Sequence, residues 1–175
     1  MIYFDNSATT RPLDEVIALV TETMRDVFGN ASSLHALGLE AERTIKAAVQ
    51  TLAGTLSCTP ASLVFTSGGT ESVNTAIRGY LEANPRKGKH LVTSAGEHPA
   101  VLETVRSLAP LGYEITLLPL EANGCVDPDR LAAAIRPDTA MISLIHVNNE
   151  TGAVHDPADI ANIRDRINPK TAIHM

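Results

Sequence analysis

Tryptophan is absent from this 175-residue chain and aromatic residues make up only 3% of it, so any core must be aliphatic. Cysteine is scarce as well. Cys58 and Cys125 form neither a disulfide framework nor a metal-ligand spacing. Both read as buried or incidental thiols. The six histidines are scattered without close acidic partners, so no metal site is expected. No apolar run reaches the roughly 18 residues needed to span a bilayer. The opening MIYFDNSATTRP lacks the basic-then-apolar order of a secretory signal. Acidic residues outnumber basic ones 20 to 14, for a net charge of −6, and no basic stripe is evident. Nucleic acid is therefore excluded as the main partner. The expectation is a soluble cytoplasmic protein with no membrane partner.

Hydrophobic residues amount to 44%, enough for a folded domain with a sizeable core. Pro12 with Asp14 and Glu15 opens a first helix, whose apolar stripe is Leu13, Val16, Ile17, Val20, Met24 and Val27. Gly29-Asn30 ends it. A longer helix places Leu37, Ala41, Ile45, Ala48, Leu52 and Leu56 inward. Ser62–Thr66 (SLVFT) reads as a short buried strand. Further strands are expected at His90–Ser94, Tyr113–Leu118 and Thr139–Val147, with another beginning at Thr171. Thr139–Val147 is the most apolar and is expected to be central. Helices are predicted from Pro99, from Asp127-Pro128 and from Asp156-Pro157. This alternation predicts an α/β fold, a mostly parallel sheet with helices on both faces.

The segment Phe65–Ser72 (FTSGGTES) organises the reading. An amphipathic run with Val73, Ala76, Ile77, Tyr80 and Leu81 follows Ser67-Gly68-Gly69 at once. A loop that enters a helix N-terminus leaves backbone N–H groups without partners. Two glycines clear the space, and Ser67 and Thr70 add hydroxyl donors. The helix dipole favours an anion by about 0.3–1 kcal/mol. The result is an anion cup suited to phosphate; an ordinary Gly-rich capped turn has the same letters. It is not a Walker loop, because no lysine follows, and it is not G-x-G-x-x-G. Ligands of parallel sheets sit beyond the carboxyl ends of strands. Three polar loops fall there: Ser67–Thr70, Glu97-His98 and Asn148-Asn149.

Five stretches together resemble the cysteine desulfurases of the NifS/IscS type, pyridoxal-phosphate (PLP) enzymes of fold type I grouped with the class V aminotransferases. They are YFDNSATT (Tyr3–Thr10), GNASSLHALG (Gly29–Gly38), FTSGGTES, the Glu97-His98 pair and HVNNETG (His146–Gly152). Ala31 stands where the family usually has proline, and Gly69 where some members have alanine. The resemblance implies pyridoxal 5'-phosphate as cofactor. Gly69 N–H and Thr70 would hold its phosphate. His98 would stack on the ring and move protons, as a flat group titrating near neutrality can. Asn149 would bond the phenolic oxygen and help orient the substrate carboxylate. A capping role is the bland alternative for His98, and a turn role for Asn149. Asn148, His35 and Asn6 are expected to shape loops.

The implied parent reaction converts L-cysteine to L-alanine and passes sulfur to an enzyme cysteine as a persulfide, for iron–sulfur cluster or thio-cofactor synthesis. A homodimer and a sulfur-acceptor or scaffold protein are implied as partners. The resemblance divides the chain into an N-terminal arm, residues 1–14, and a partial cofactor-binding domain, residues 15–175. The pyridine-nitrogen aspartate, the Schiff-base lysine, the persulfide cysteine and the carboxylate-binding arginine all lie further along the family pattern. The 175 residues are therefore expected to be incompetent alone. A selenocysteine lyase or another class V aminotransferase shares the same first half. A non-catalytic scaffold piece and a plain nucleotide-binding domain are readings from other classes.

Overall fold

The structure is a computed structural model and describes residues 2–175. Two compact units divide at Phe65/Thr66. The first contains α1 (Asp14–Asp26), α2 (Ala36–Thr55) and a single 3-10 turn, Pro60–Ser62. The His35 side chain caps α2, its Nδ1 accepting from Gly38 N–H at 3.3 Å. Gly38 must be glycine for steric reasons, since a Cβ there would lie 2.3 Å from the Ser33 carbonyl oxygen. Two expectations fail in this unit. The expected strand Ser62–Thr66 does not form: Ser62 closes the 3-10 turn, and Val64 and Phe65 are 76% and 61% exposed. The segment is rich in strand-forming residues, but no neighbouring ladder pairs with it, and propensity without a partner makes no strand. The helical stripes form but stay uncovered by their own unit. Helix α1 buries none of its residues, and α2 buries only Gly38, Ala41 and Ala53.

The second unit contains a four-stranded, wholly parallel sheet in the order β2-β1-β3-β4. The strands are β1 (His90–Ser94), β2 (Glu114–Leu118), β3 (Thr139–Ser143) and β4 (Ala172–His174). The helices are α3 (Gly69–Ala83), α4 (Pro99–Arg106), α5 (Pro128–Ala134) and α6 (Pro157–Ile167). Period-two alternation sends Leu91 and Met141 to one face and Val92 and Ile142 to the other. The first face packs on Ile77 and Leu81 of α3 and on Val101 and Val105 of α4. The second packs on Leu131 of α5 and on Ile160 and Ile163 of α6. Full burial of each such aliphatic side chain contributes about 1.5–3 kcal/mol. The predicted α/β fold with helices on both faces is the one observed, and β3 is internal and fully buried. It ends at Ser143, four residues before the expected Val147.

Polar residues complete the sheet. His90, fully buried, bonds Thr139 Oγ1 through Nδ1 and Thr116 Oγ1 through Nε2, each at 2.8 Å, and so joins β1, β2 and β3. At the same amino-terminal end, Arg136 pairs with both Glu114 oxygens (2.7 and 3.0 Å) and with Asp138 (3.0 Å). The Asp-Pro pairs behave as predicted. Asp127 and Asp156 each cap a helix by accepting from Arg130 N–H and Ala158 N–H at 2.8 Å.

Candidate functional site

The connection from β1 runs through α4 on one face to β2, whereas that from β3 runs through α6 on the opposite face to β4. The lateral direction in which strands are added therefore reverses between β1 and β3, while the strands stay parallel. That switch point is where a parallel sheet opens a crevice beyond its carboxyl ends. The loops after β1 and β3 carry Glu97-His98 and Asn148-Asn149. A cleft of about 530 Å³ there is lined by Gly69, Thr70, Glu97, His98, Leu144 and His174, among others. A smaller depression of about 190 Å³ shares Glu97 and His98 with it and is lined also by Asn148 and Asn149. Thr70 and Asn149 thus lie on two hollows joined by the Glu97-His98 step.

The glycine loop reaches α3 as expected, but its donors are divided differently. Gly68 is extended (φ 167°, ψ 179°), and the first intrahelical bond runs from Ser72 N–H to Gly68 C=O at 3.0 Å. The N–H groups of Gly69, Thr70 and Glu71 precede it and have no acceptor in the helix. A Cβ on Gly69 would meet nothing within 4 Å, so the space over this helix end is open. Ser67 does not contribute to the cup. Its hydroxyl and its N–H both donate to Glu71 Oε2, at 2.5 and 2.7 Å. These bonds, the hydroxyl's first, hold the Glu71 carboxyl below its ordinary range. A carboxylate four residues on satisfies Ser67 more closely than a mobile ligand would.

His98 is both exposed and a helix cap. Its Nδ1 accepts from Ala100 N–H at 3.1 Å, which leaves Nε2 as the free ring nitrogen. Glu97, its neighbour, is only 6% exposed. Its Oε1 accepts from Ser94 Oγ at 3.0 Å and from Ile145 N–H at 2.7 Å. Burial pushes its carboxyl above the ordinary range, against the opposing pull of those two donors. Asn148 is buried and shapes its turn, as expected. Its Oδ1 accepts from Glu150 and Thr151 N–H (2.9 and 2.8 Å), and its Nδ2 donates to Gly96 C=O at 2.8 Å. Asn149, next to it, is exposed and its side chain makes no hydrogen bond among the described residues.

Sequence reasoning passed over three polar groups near the cleft. Glu97 was legible only as one half of a pair. His155 is locked in place, with Nδ1 donating to Ile145 C=O (2.8 Å) and Nε2 accepting from Val126 N–H (2.9 Å). His174 bonds Ser143 Oγ at 2.9 Å and lines the cleft, and burial lowers its affinity for a proton. Cys58 and Cys125 are partly exposed free thiols, and the described residues hold no group of three or more metal-ligating side chains. No helix among the described residues is long and apolar enough to cross a membrane.

Residues 2–173 match the family model "Aminotransferase class-V". The chain belongs to the class V aminotransferases. Within the family it is 43% identical over 162 residues to the cysteine desulfurase IscS of Dictyoglomus turgidum, covering 93% of this chain and 41% of that one. It is 45% identical over 166 residues to IscS of Vibrio cholerae, again covering 93% and 41%. A solved NifS-like protein superposes with a TM-score of 0.94 at 32% identity, covering 99% of this chain and 47% of that one. DndA from Streptomyces lividans gives 0.83 at 40% identity, with 99% and 48% covered. The chain therefore spans less than half the length of these relatives, and nearly all of it takes part in the match.

Proposed function

We propose that this class V chain supplies the amino-terminal half of a PLP-dependent cysteine desulfurase. The observation that carries the reading is the cleft at the switch point. Free N–H groups at the α3 N-terminus and an exposed imidazole line one cavity of about 530 Å³. A phosphorylated aromatic ring fits that donor set, because the helix end is open above Gly69 and His98 presents a flat face. When bound, pyridoxal 5'-phosphate supplies the electron sink that weakens bonds at the substrate's α-carbon. The chain's own residues do the rest. Gly69 N–H and Thr70 hold the phosphate. His98 packs its ring against the pyridine and passes protons at Nε2, its Nδ1 being engaged in the cap. Asn149 donates its carboxamide to the ring oxygen and to the substrate carboxylate.

The substrate in this reading is L-cysteine, with sulfur leaving to an enzyme thiol and then to an acceptor or scaffold protein for iron–sulfur cluster synthesis. Residues 1–14 act as an arm to a cofactor-binding domain of residues 15–175, in a cytoplasmic homodimer. The test is a titration with pyridoxal 5'-phosphate and, separately, inorganic phosphate, read by tyrosine fluorescence. Thr70→Ala should weaken both about tenfold, the loss of a charge-assisted hydrogen bond. His98→Ala should weaken only pyridoxal 5'-phosphate. A wild-type protein that takes up neither ligand refutes the reading.

A further inference from the structure

Two bonds cross between the loop after β1 and the loop after β3. One joins Glu97 Oε1 to Ile145 N–H (2.7 Å) and the other joins Asn148 Nδ2 to Gly96 C=O (2.8 Å). They run in opposite senses: the first loop supplies a side chain to the second loop's backbone, and the second loop returns the favour. Glu97 and Asn148 are both buried, and each is followed at once by an exposed residue, His98 and Asn149. We propose that Glu97 and Asn148 form a two-point clamp that fixes the spacing of His98 and Asn149, Glu97 being a positioning residue for the ring-binding side of the cleft. Three further observations support it. Ser94 Oγ, on the last residue of β1, steadies the same Glu97 oxygen at 3.0 Å. His155 holds the carbonyl of the same Ile145 whose N–H Glu97 takes, at 2.8 Å. Glu97 itself lines both hollows, so the clamp lies within the wall it sets.

The clamp does not extend to α3, whose Gly69 and Thr70 share no hydrogen bond with either loop. Breaking it should therefore separate two ligands. The inference concerns the geometry of these loops and rests on the PLP reading only for its ligand arm. The experiment compares wild type with Glu97→Ala, Glu97→Gln and Asn148→Ala. Amide hydrogen exchange at Ile145 is followed by NMR, together with titrations of pyridoxal 5'-phosphate and inorganic phosphate. Glu97→Ala should speed exchange at Ile145 about tenfold, the loss of one buried acceptor. Glu97→Gln should restore protection, since a carboxamide oxygen still accepts both bonds. The Ile145 amide shift should follow carboxyl titration in wild type and stop doing so in Glu97→Gln. Glu97→Ala and Asn148→Ala should each weaken pyridoxal 5'-phosphate about tenfold and leave inorganic phosphate within about twofold. Unchanged Ile145 exchange in Glu97→Ala overturns the clamp, and so does an equal loss of both ligands. If wild type takes up no pyridoxal 5'-phosphate, the cofactor reading fails while the exchange data still decide the clamp.

Discussion

Two adjacent asparagines should behave oppositely when truncated. Asn148→Ala removes three hydrogen bonds, two that close the Glu150–Thr151 turn and one that reaches Gly96. At about 1 kcal/mol for each, the loss totals about 3 kcal/mol. Asn149→Ala removes an exposed side chain with no hydrogen bond among the described residues and should cost less than about 0.5 kcal/mol. Urea unfolding followed by far-UV circular dichroism measures both. With a slope of about 2 kcal/mol per molar, Asn148→Ala should lower the midpoint by about 1.5 M, and Asn149→Ala should leave it nearly in place. In the ligand titration the phosphate response of Asn149→Ala should also match wild type. A cost below about 1 kcal/mol for Asn148→Ala, or equal costs for the two variants, refutes the hydrogen-bond assignment.

Three other substitutions or conditions give definite expectations. Gly88 has φ +117°, and a Cβ there would lie 2.0 Å from the Asp138 carbonyl oxygen, so Gly88→Ala should cost more than about 2 kcal/mol in the same urea assay. Gly69→Ala adds a methyl to open space in the first turn of α3; it should change stability by less than about 0.5 kcal/mol and keep the phosphate response, which depends on N–H groups. Burial, and secondarily the Arg136 charge, lowers the folded-state proton affinity of His90 below its ordinary 6.5. The unfolded chain then binds more protons in the window just below 6.5, so stability should rise with pH there and fall as pH drops through the lowered value. His174 acts with the same sign, so His90→Gln should reduce this slope in a pH series of urea midpoints without abolishing it.

The sequence was most informative where a local rule and the global fold agreed. Asp-Pro at 127–128 and 156–157 carries its own cap and its own first-turn residue, and both helices start there. His90–Ser94 has the β-branched and apolar content of a buried strand together with two flanking strands to pair with, and it forms one. Ser62–Thr66 has similar content and no ladder, so the same reasoning misplaced it. Ser67 reads as an anion donor because Ser donates well next to Gly; only three-dimensional placement shows its N–H and hydroxyl both donating to Glu71. His98 caps its helix, the bland alternative given above, and the cap leaves its ring exposed on the cleft. Glu97 escaped because its partner, Ile145, is 48 residues away and contributes a backbone amide, which carries no sequence signature.

The two ends of the sheet are held by different forces. At the amino-terminal end, Arg136 gathers Glu114 and Asp138 in partly exposed ion pairs, whereas the loops at the carboxyl end are tied by buried hydrogen bonds of Glu97 and Asn148 to amides and a hydroxyl. Salt weakens exposed ion pairs of the first kind modestly and barely touches the buried bonds of the second. Added salt should therefore reach only the Arg136 pairs, while buried His90 still joins the strands beneath them and the mouth keeps its shape.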